Sequence, residues 1–271
     1  MSNELVLIGC GNMGHAMLRG FLREAPGLVA HVVEPIDALR ERAALAGAHA
    51  VATVAELPSD LQPGIVVIAV KPNLVETVLK DCARLAASGT IFLSIAAGVT
   101  TDRMARHLPP GVAIVRCMPN TPAAIGEGML AVYAREGLTR TARDLVTTLL
   151  QASGAVAWFD CEAEMDAVTA ISGSGPAYVF HFIEALTAAG IALGLSPENA
   201  SLLAKQTVKG AGRLAAEASD GPGTLREQVT SPGGTTAAAL DILMANDRTI
   251  RLVAEATKAA RERSIALGKT A

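Results

Sequence analysis

The run Leu5-Val6-Leu7-Ile8-Gly9-Cys10-Gly11-Asn12-Met13-Gly14 decides the fold. Four consecutive aliphatic residues suit a strand buried on both faces. They pass straight into a GxGxxG loop at Gly9, Gly11 and Gly14, and Met13 to Leu22 continues with helical spacing. A bare GxGxxG is a weak signal, but directly after a strand and at the start of a helix it is a dinucleotide fingerprint. Gly9 permits the tight turn, Gly11 lets the backbone approach a pyrophosphate, and Gly14 lets the helix pack on the strand. The helix N-terminus then offers N–H donors and positive dipole to the phosphates. A tight turn without a ligand is the competing reading.

The theme repeats outward. His31-Val32-Val33-Glu34, Ile65 to Val70, Thr90 to Ile95 and Val112 to Val115 are further apolar runs. Asp37 to Gly47 and Asn73 to Ala87 lie between them, with helical spacing and charges on one side. Alternating strands and helices imply right-handed crossovers and a doubly wound, mostly parallel α/β sheet. Glu34 ends the second strand, where a carboxylate accepts ribose hydroxyls and repels a 2′-phosphate, so NADH is expected to be preferred. The alternative has Glu34 facing solvent while a neighbour reads the ribose.

Beyond about residue 160 the strand-like runs stop. Met165 to Ile171, Pro176 to Leu195, Pro197 to Ala218, Gly223 to Val229, Thr235 to Ala245 and Asp247 to Leu267 read as helices. Ser196-Pro197-Glu198 is a helix start: a hydroxyl cap, proline in the first turn, then an acid. A boundary is expected near residues 158–163, giving a dinucleotide domain over 1–160 and a helical domain over 161–271. Ala177 to Leu195 is apolar around most of its circumference, so a second subunit is expected to complete its burial.

Composition excludes other classes. The chain has 271 residues, 51% hydrophobic and 18% charged, with net charge -3. That is no disordered polymer. Aromatics are 3% and the pI is near 6.0, which speaks against a nucleic-acid partner. Mean hydropathy is +0.37, yet the uncharged stretch Leu85 to Thr101 is broken by Ser88, Gly89, Ser94 and Gly98, so no membrane span is expected. The start Met1-Ser2-Asn3-Glu4 lacks the basic region of a signal peptide. Cys10, Cys82, Cys117 and Cys161 are scattered without a CxxC, as expected of reduced thiols in a cytoplasmic protein. The five histidines show no zinc spacing, so no metal is expected.

Longer motifs sharpen the reading. Ala69-Val70-Lys71-Pro72, Ser94-Ile95-Ala96-Ala97-Gly98-Val99, Met118-Pro119-Asn120-Thr121-Pro122, Ser172 to Tyr178 and Ser231-Pro232-Gly233-Gly234-Thr235-Thr236 follow the opening loop in order. Together they resemble the pyrroline-5-carboxylate reductases over residues 5 to 265. The resemblance implies a Rossmann-type domain, an all-helical dimerisation domain, and transfer of a hydride from NADH or NADPH to the cyclic imine of 1-pyrroline-5-carboxylate, forming proline. It implies cofactor contacts at Ile8, Gly9, Cys10, Gly11, Asn12, Met13, Ala69, Val70, Lys71, Pro72, Ile95, Ala96 and Ala97. It implies substrate contacts at Ser231, Gly233, Gly234, Thr235 and Thr236, with Glu162 and Gln228 as further candidates. Gln228 stands where some members carry asparagine, and Glu34 where many carry small or hydroxyl residues suited to NADPH. A homo-oligomer, a dimer or an assembly of dimers, is also implied.

The residues suit that chemistry. Two glycines before a helix leave successive N–H groups open to a carboxylate; an ordinary capped turn is the plain alternative. Thr236 is the candidate catalytic residue at the ring nitrogen, orienting the imine rather than acting as a strong acid. Lys71 lies at the carboxyl edge of the sheet, where ligands bind, or is a solvated helix start. Asn120 contacts the nicotinamide amide or the substrate, or stabilises its turn. A β-hydroxyacid dehydrogenase would want an asparagine one turn after a helical lysine, but Lys205 is followed by Gln206-Thr207-Val208-Lys209. A catalytically silent NAD(H)-binding protein would not need the Gly233-to-Thr236 loop.

Overall fold

The computed structural model describes residues 2–270, with side chains to Gly268 at the end of the last helix. Two compact units arise: Met1–Ser174 with Ala260–Ala271, and Gly175–Ala259.

The first unit is built on one eight-stranded sheet. Its elements are β1 (Glu4–Ile8), α1 (Asn12–Glu24), β2 (Val29–Val33), α2 (Asp37–Leu45), β3 (His49–Val51), β4 (Ile65–Ile68), α3 (Val75–Cys82) and β5 (Ile91–Ser94), followed by α4 (Thr101–Ala105), β6 (Ala113–Met118), β7 (Gly128–Ala134), α5 (Arg140–Gln151), β8 (Gly154–Phe159) and α6 (Met165–Val168). The strand order is β3-β2-β1-β4-β5-β6-β7-β8. All pairs are parallel except β6 with β7. The order reverses between β1 and β4, the place where open α/β sheets bind ligands at their carboxyl edge.

The aliphatic runs are continuous because each strand feeds two cores. Leu5 and Leu7 pack on one face with Met17, Leu18 and Phe21 of α1. Val6 and Ile8 pack on the other with Val75 and Leu79 of α3. Alternate side chains of a strand point to opposite faces, so both must be apolar. The five runs read from sequence are strands. Three further strands, β3, β7 and β8, were not anticipated: β3 has only three residues, and Gly128-Met-Leu-Ala-Val-Tyr-Ala and Gly154-Ala-Val-Ala-Trp-Phe dilute their β-branched content with glycine and alanine.

The break near residues 158–163 marks the change from strands to helices, whereas compactness changes at Gly175. Helix α6 and the π-helical turn Thr169–Gly173 remain with the sheet unit, with Met165 and Ala170 buried.

The second unit holds α7 (Gly175–Ala192), α8 (Pro197–Glu217), α9 (Pro222–Gln228), α10 (Thr235–Met244) and the first half of α11 (Arg248–Thr270). Ser196 Oγ caps α8 by accepting the Asn199 N–H at 3.2 Å, as the sequence reading expects. Helices α7 and α8 pack where Gly190 meets Ala200; a Cβ added at Gly190 would lie 3.1 Å from the Ala200 methyl. Val179, Phe180 and Phe182 of α7 stay 45–58% exposed, an apolar surface of the kind that marks an interaction site. No described helix is long and apolar enough to cross a membrane, and no metal-ligand cluster occurs among the described residues.

Candidate functional site

The loop after β1 is shaped by its glycines. Gly9 adopts φ +90, and a Cβ there would lie 2.8 Å from the Ala69 carbonyl oxygen. A Cβ on Gly14 would run into the Gly9 carbonyl. Gly11 has no neighbour within 4 Å of its would-be Cβ, so its outer side is open. As N-cap of α1, Gly11 offers no side-chain hydrogen bond to the first turn. Those N–H groups therefore lack the usual intramolecular acceptor and suit a phosphate.

A cleft of about 410 Å³ opens over this turn. It is lined by Gly11 to Gly14, Ala69 to Pro72, Ile95 to Ala97, Met118 to Thr121 and Gly173. The structure thus brings together three of the segments expected to hold a dinucleotide: the loop, the turn after β4 and the turn after β5. Lys71 is exposed at the start of the 3-10 turn Pro72–Leu74. Ile8 and Cys10 are buried beneath the loop.

Glu34 does not face solvent. It is 4% exposed; Oε2 accepts the Cys10 N–H at 2.7 Å and Oε1 accepts the Ile36 N–H at 3.0 Å. The carboxylate is therefore fixed against the loop. Arg40 donates to the Glu34 and Pro35 carbonyls at 3.0 and 3.2 Å and to Asp37 at 2.6 Å. Arg42, which sequence reasoning missed, donates from Nη2 to the Cys10 carbonyl at 2.8 Å.

Two expected substrate contacts are engaged within the first unit. Asn120 Oδ1 accepts the Met129 N–H at 2.9 Å, and its Nδ2 donates to the Ser172 carbonyl and hydroxyl oxygens at 3.2 and 3.3 Å. The side chain joins its own loop to β7 and to the turn before α7. Glu162 accepts the Thr101 N–H and hydroxyl, both at 2.8 Å, and meets Arg116 Nη1 at 3.4 Å. Arg116 is 3% exposed, and its Nη2 lies 4.0 Å from Asp166. Ser264 near the chain end donates to Asp166 at 2.7 Å. Arg116 is a lone charge in the strand Ala-Ile-Val-Arg-Cys-Met; a buried charge demands a partner, and that was the legible signal for this network.

In the second unit, Gly233 takes φ +67, and the Gly234 N–H donates to the Ser231 carbonyl at 3.0 Å. Gly234 is the N-cap of α10 and provides no side-chain cap. Thr235 and Thr236 open the helix, with Thr235 and Ser231 exposed and Thr236 half-buried. The first-turn donors of α10 are thus uncapped by a side chain, as at α1. Gln228 Nε2 donates to Asp220 at 2.8 Å.

The whole arrangement has known counterparts. A protein from Pseudomonas aeruginosa named pyrroline-5-carboxylate reductase is 39% identical over 270 residues, 98% of this chain and 97% of that one. The chain belongs to the pyrroline-5-carboxylate reductase family. The family's profile described as pyrroline-5-carboxylate reductase dimerisation matches residues 162–267, and a profile for NADP oxidoreductase, coenzyme F420-dependent, matches residues 4–98. Among solved pyrroline-5-carboxylate reductase structures, that from Coxiella burnetii superposes with TM-score 0.89 at 33% identity, covering 97% of each chain. The Plasmodium falciparum structure, with NADP bound, gives 0.82 at 30% identity and covers 98% of each chain. The NAD(P)-binding class, the mostly parallel sheet and the helical dimerisation region are shared with the family.

Proposed function

We propose that the chain reduces the C=N bond of 1-pyrroline-5-carboxylate, forming L-proline. The observation that carries this reading is the similarity, over nearly the whole length, to proteins of that name. NADH or NADPH supplies the hydride to the imine carbon when bound. In this reading residues 1–160 hold the dinucleotide, while residues 161–271 bring the substrate loop and the surface for a second copy.

The uncapped first turn of α1 holds the pyrophosphate, with Gly11 leaving the approach open. Ala69 to Pro72 and Ile95 to Ala97 line the cleft beside it. Glu34 selects NADH. A carboxylate carries about four acceptor positions, and two backbone N–H groups use only part of that capacity. Ribose hydroxyls take the remainder, and the fixed charge repels a 2′-phosphate.

Ser231, Gly233 and Gly234 cradle the substrate carboxylate at the start of α10, where successive N–H groups and the helix dipole favour an anion. Thr236 orients the imine nitrogen and passes on a proton taken from water, because a hydroxyl is a weak general acid on its own. Gln228 ties the end of α9 back to Asp220, before that helix. Asn120 and Glu162 hold the cleft's loops in place rather than touching substrate. A second copy covers the exposed apolar faces of α7 and α8, making a homodimer or an assembly of dimers.

Replacing Thr236 with alanine tests the assignment at the nitrogen. Turnover should fall at least tenfold while cofactor binding is unchanged; a near-normal steady-state rate would remove the role.

A further inference from the structure

The backbone of Cys10 is held at both its N–H and its carbonyl, by groups of opposite charge. Glu34 accepts its N–H at 2.7 Å, and Arg42 donates to its carbonyl at 2.8 Å from 32 residues further along the chain. The Cys10 thiol takes no part, since burial pushes it up to about 11. Arg42 Nε is buried without a hydrogen-bond partner. Among the described residues no carboxylate lies within ion-pair distance of Arg42; Glu34 bonds the Cys10 N–H, not the guanidinium. His15 on α1 is held below its ordinary value by burial first, then by the Arg42 and Arg19 charges.

We propose that Arg42 is a positioning residue for the cofactor's phosphates, fixing the loop through the Cys10 carbonyl and adding positive charge beside the start of α1. The proposal rests on reading that turn as the pyrophosphate cradle. The grip explains how a loop of small residues keeps its N–H groups aligned: one bond draws the Cys10 N–H toward β2, and the other holds its carbonyl toward α2. Charge-assisted hydrogen bonds of this kind are the stronger ones. The charge acts over about a Debye length, roughly 8 Å at physiological salt.

Three substitutions separate the components. Arg42→Gln keeps a donor and removes the charge, Arg42→Lys keeps the charge, and Arg42→Met removes both. The dissociation constant of ADP-ribose is measured by titration calorimetry at low and high salt, with melting temperature and kcat at saturating NADH followed alongside. We expect Arg42→Met to weaken ADP-ribose at least tenfold with kcat within twofold, Arg42→Gln to lose much of the salt dependence, and Arg42→Lys to retain most of the affinity. Affinity within twofold of the parent for Arg42→Met overturns the proposal; if that variant does not fold, the same result for Arg42→Gln does so. A fall in kcat as large as the loss of affinity also overturns it. Failure of the parent protein to bind ADP-ribose removes the cradle reading itself, and this proposal with it.

Discussion

Replacing Glu162 with alanine distinguishes a structural carboxylate from a substrate ligand. The side chain accepts two bonds from Thr101 at 2.8 Å each and faces the guanidinium of Arg116 at 3.4 Å. Arg116 is 3% exposed. With Glu162 gone, its nearest remaining acid is Asp166 at 4.0 Å, which is already bonded by Ser264. Breaking a buried ion pair by removing one partner costs about 3–5 kcal/mol, because the other charge is left uncompensated. For a unit of this size each kcal/mol moves the melting temperature by roughly 2–4 °C, so a drop of about 6–20 °C is expected. Thermal unfolding measures the drop and urea unfolding the free energy, both at fixed protein concentration, since assembly couples stability to concentration. Arg116→Met added to Glu162→Ala should restore most of the loss. A Glu162→Ala protein within about 1 kcal/mol of the parent, but with a raised KM for the imine, would refute this reasoning and return Glu162 to the substrate site.

Three further predictions rest on burial and loop geometry. Burial pushes Cys10 up to about 11 and Cys82 up to about 12, and raises Cys117 as well, while Cys161 is exposed. A thiol reagent should therefore label one cysteine in the folded protein and four after unfolding; fast labelling of a second would count against the packing. These raised values favour the neutral thiol in the folded state. Their contribution to stability is present below the ordinary value of 9 and is lost as pH rises through the folded values. The urea midpoint should fall from pH 9 to 11, and a midpoint that rises there would contradict the sign. At the phosphate loop, Gly9→Ala must place a Cβ 2.8 Å from the Ala69 carbonyl at φ +90, whereas Gly11→Ala meets nothing within 4 Å. Gly9→Ala should lower the melting temperature, while Gly11→Ala should leave it unchanged and weaken ADP-ribose binding. Equal melting losses in both would contradict the open approach at Gly11.

The sequence made some features plain and hid others for physical reasons. Continuous runs such as Ile65-Val66-Val67-Ile68 announced doubly buried strands, because no face of such a strand needs a polar residue. The glycines of the phosphate loop were readable because backbone space, not side-chain chemistry, selects them. Ser196 announced its helix because a cap is local. Strands β7 and β8 were obscured by glycine and alanine, whose strand conformation depends on the pairing of Met118 with Ala131 and Gly128 with Gly154. The partners of Glu162 were illegible for another reason: Thr101, Arg116 and Glu162 come from three separated elements, and only the fold brings them together. The same holds for Arg42 and Cys10. Glu34 was read as the end of β2 and lies one residue past it; its two backbone donors were not readable, because they depend on the turns at either side of it.

The most direct measurement mixes the protein with 1-pyrroline-5-carboxylate and follows the absorbance of NADH and NADPH in separate reactions, with proline quantified as product. The account predicts oxidation of both cofactors, stoichiometric proline, and a higher kcat/KM with NADH. A strong preference for NADPH would contradict the role given to Glu34, and folded protein that oxidises neither would contradict the proposed reaction.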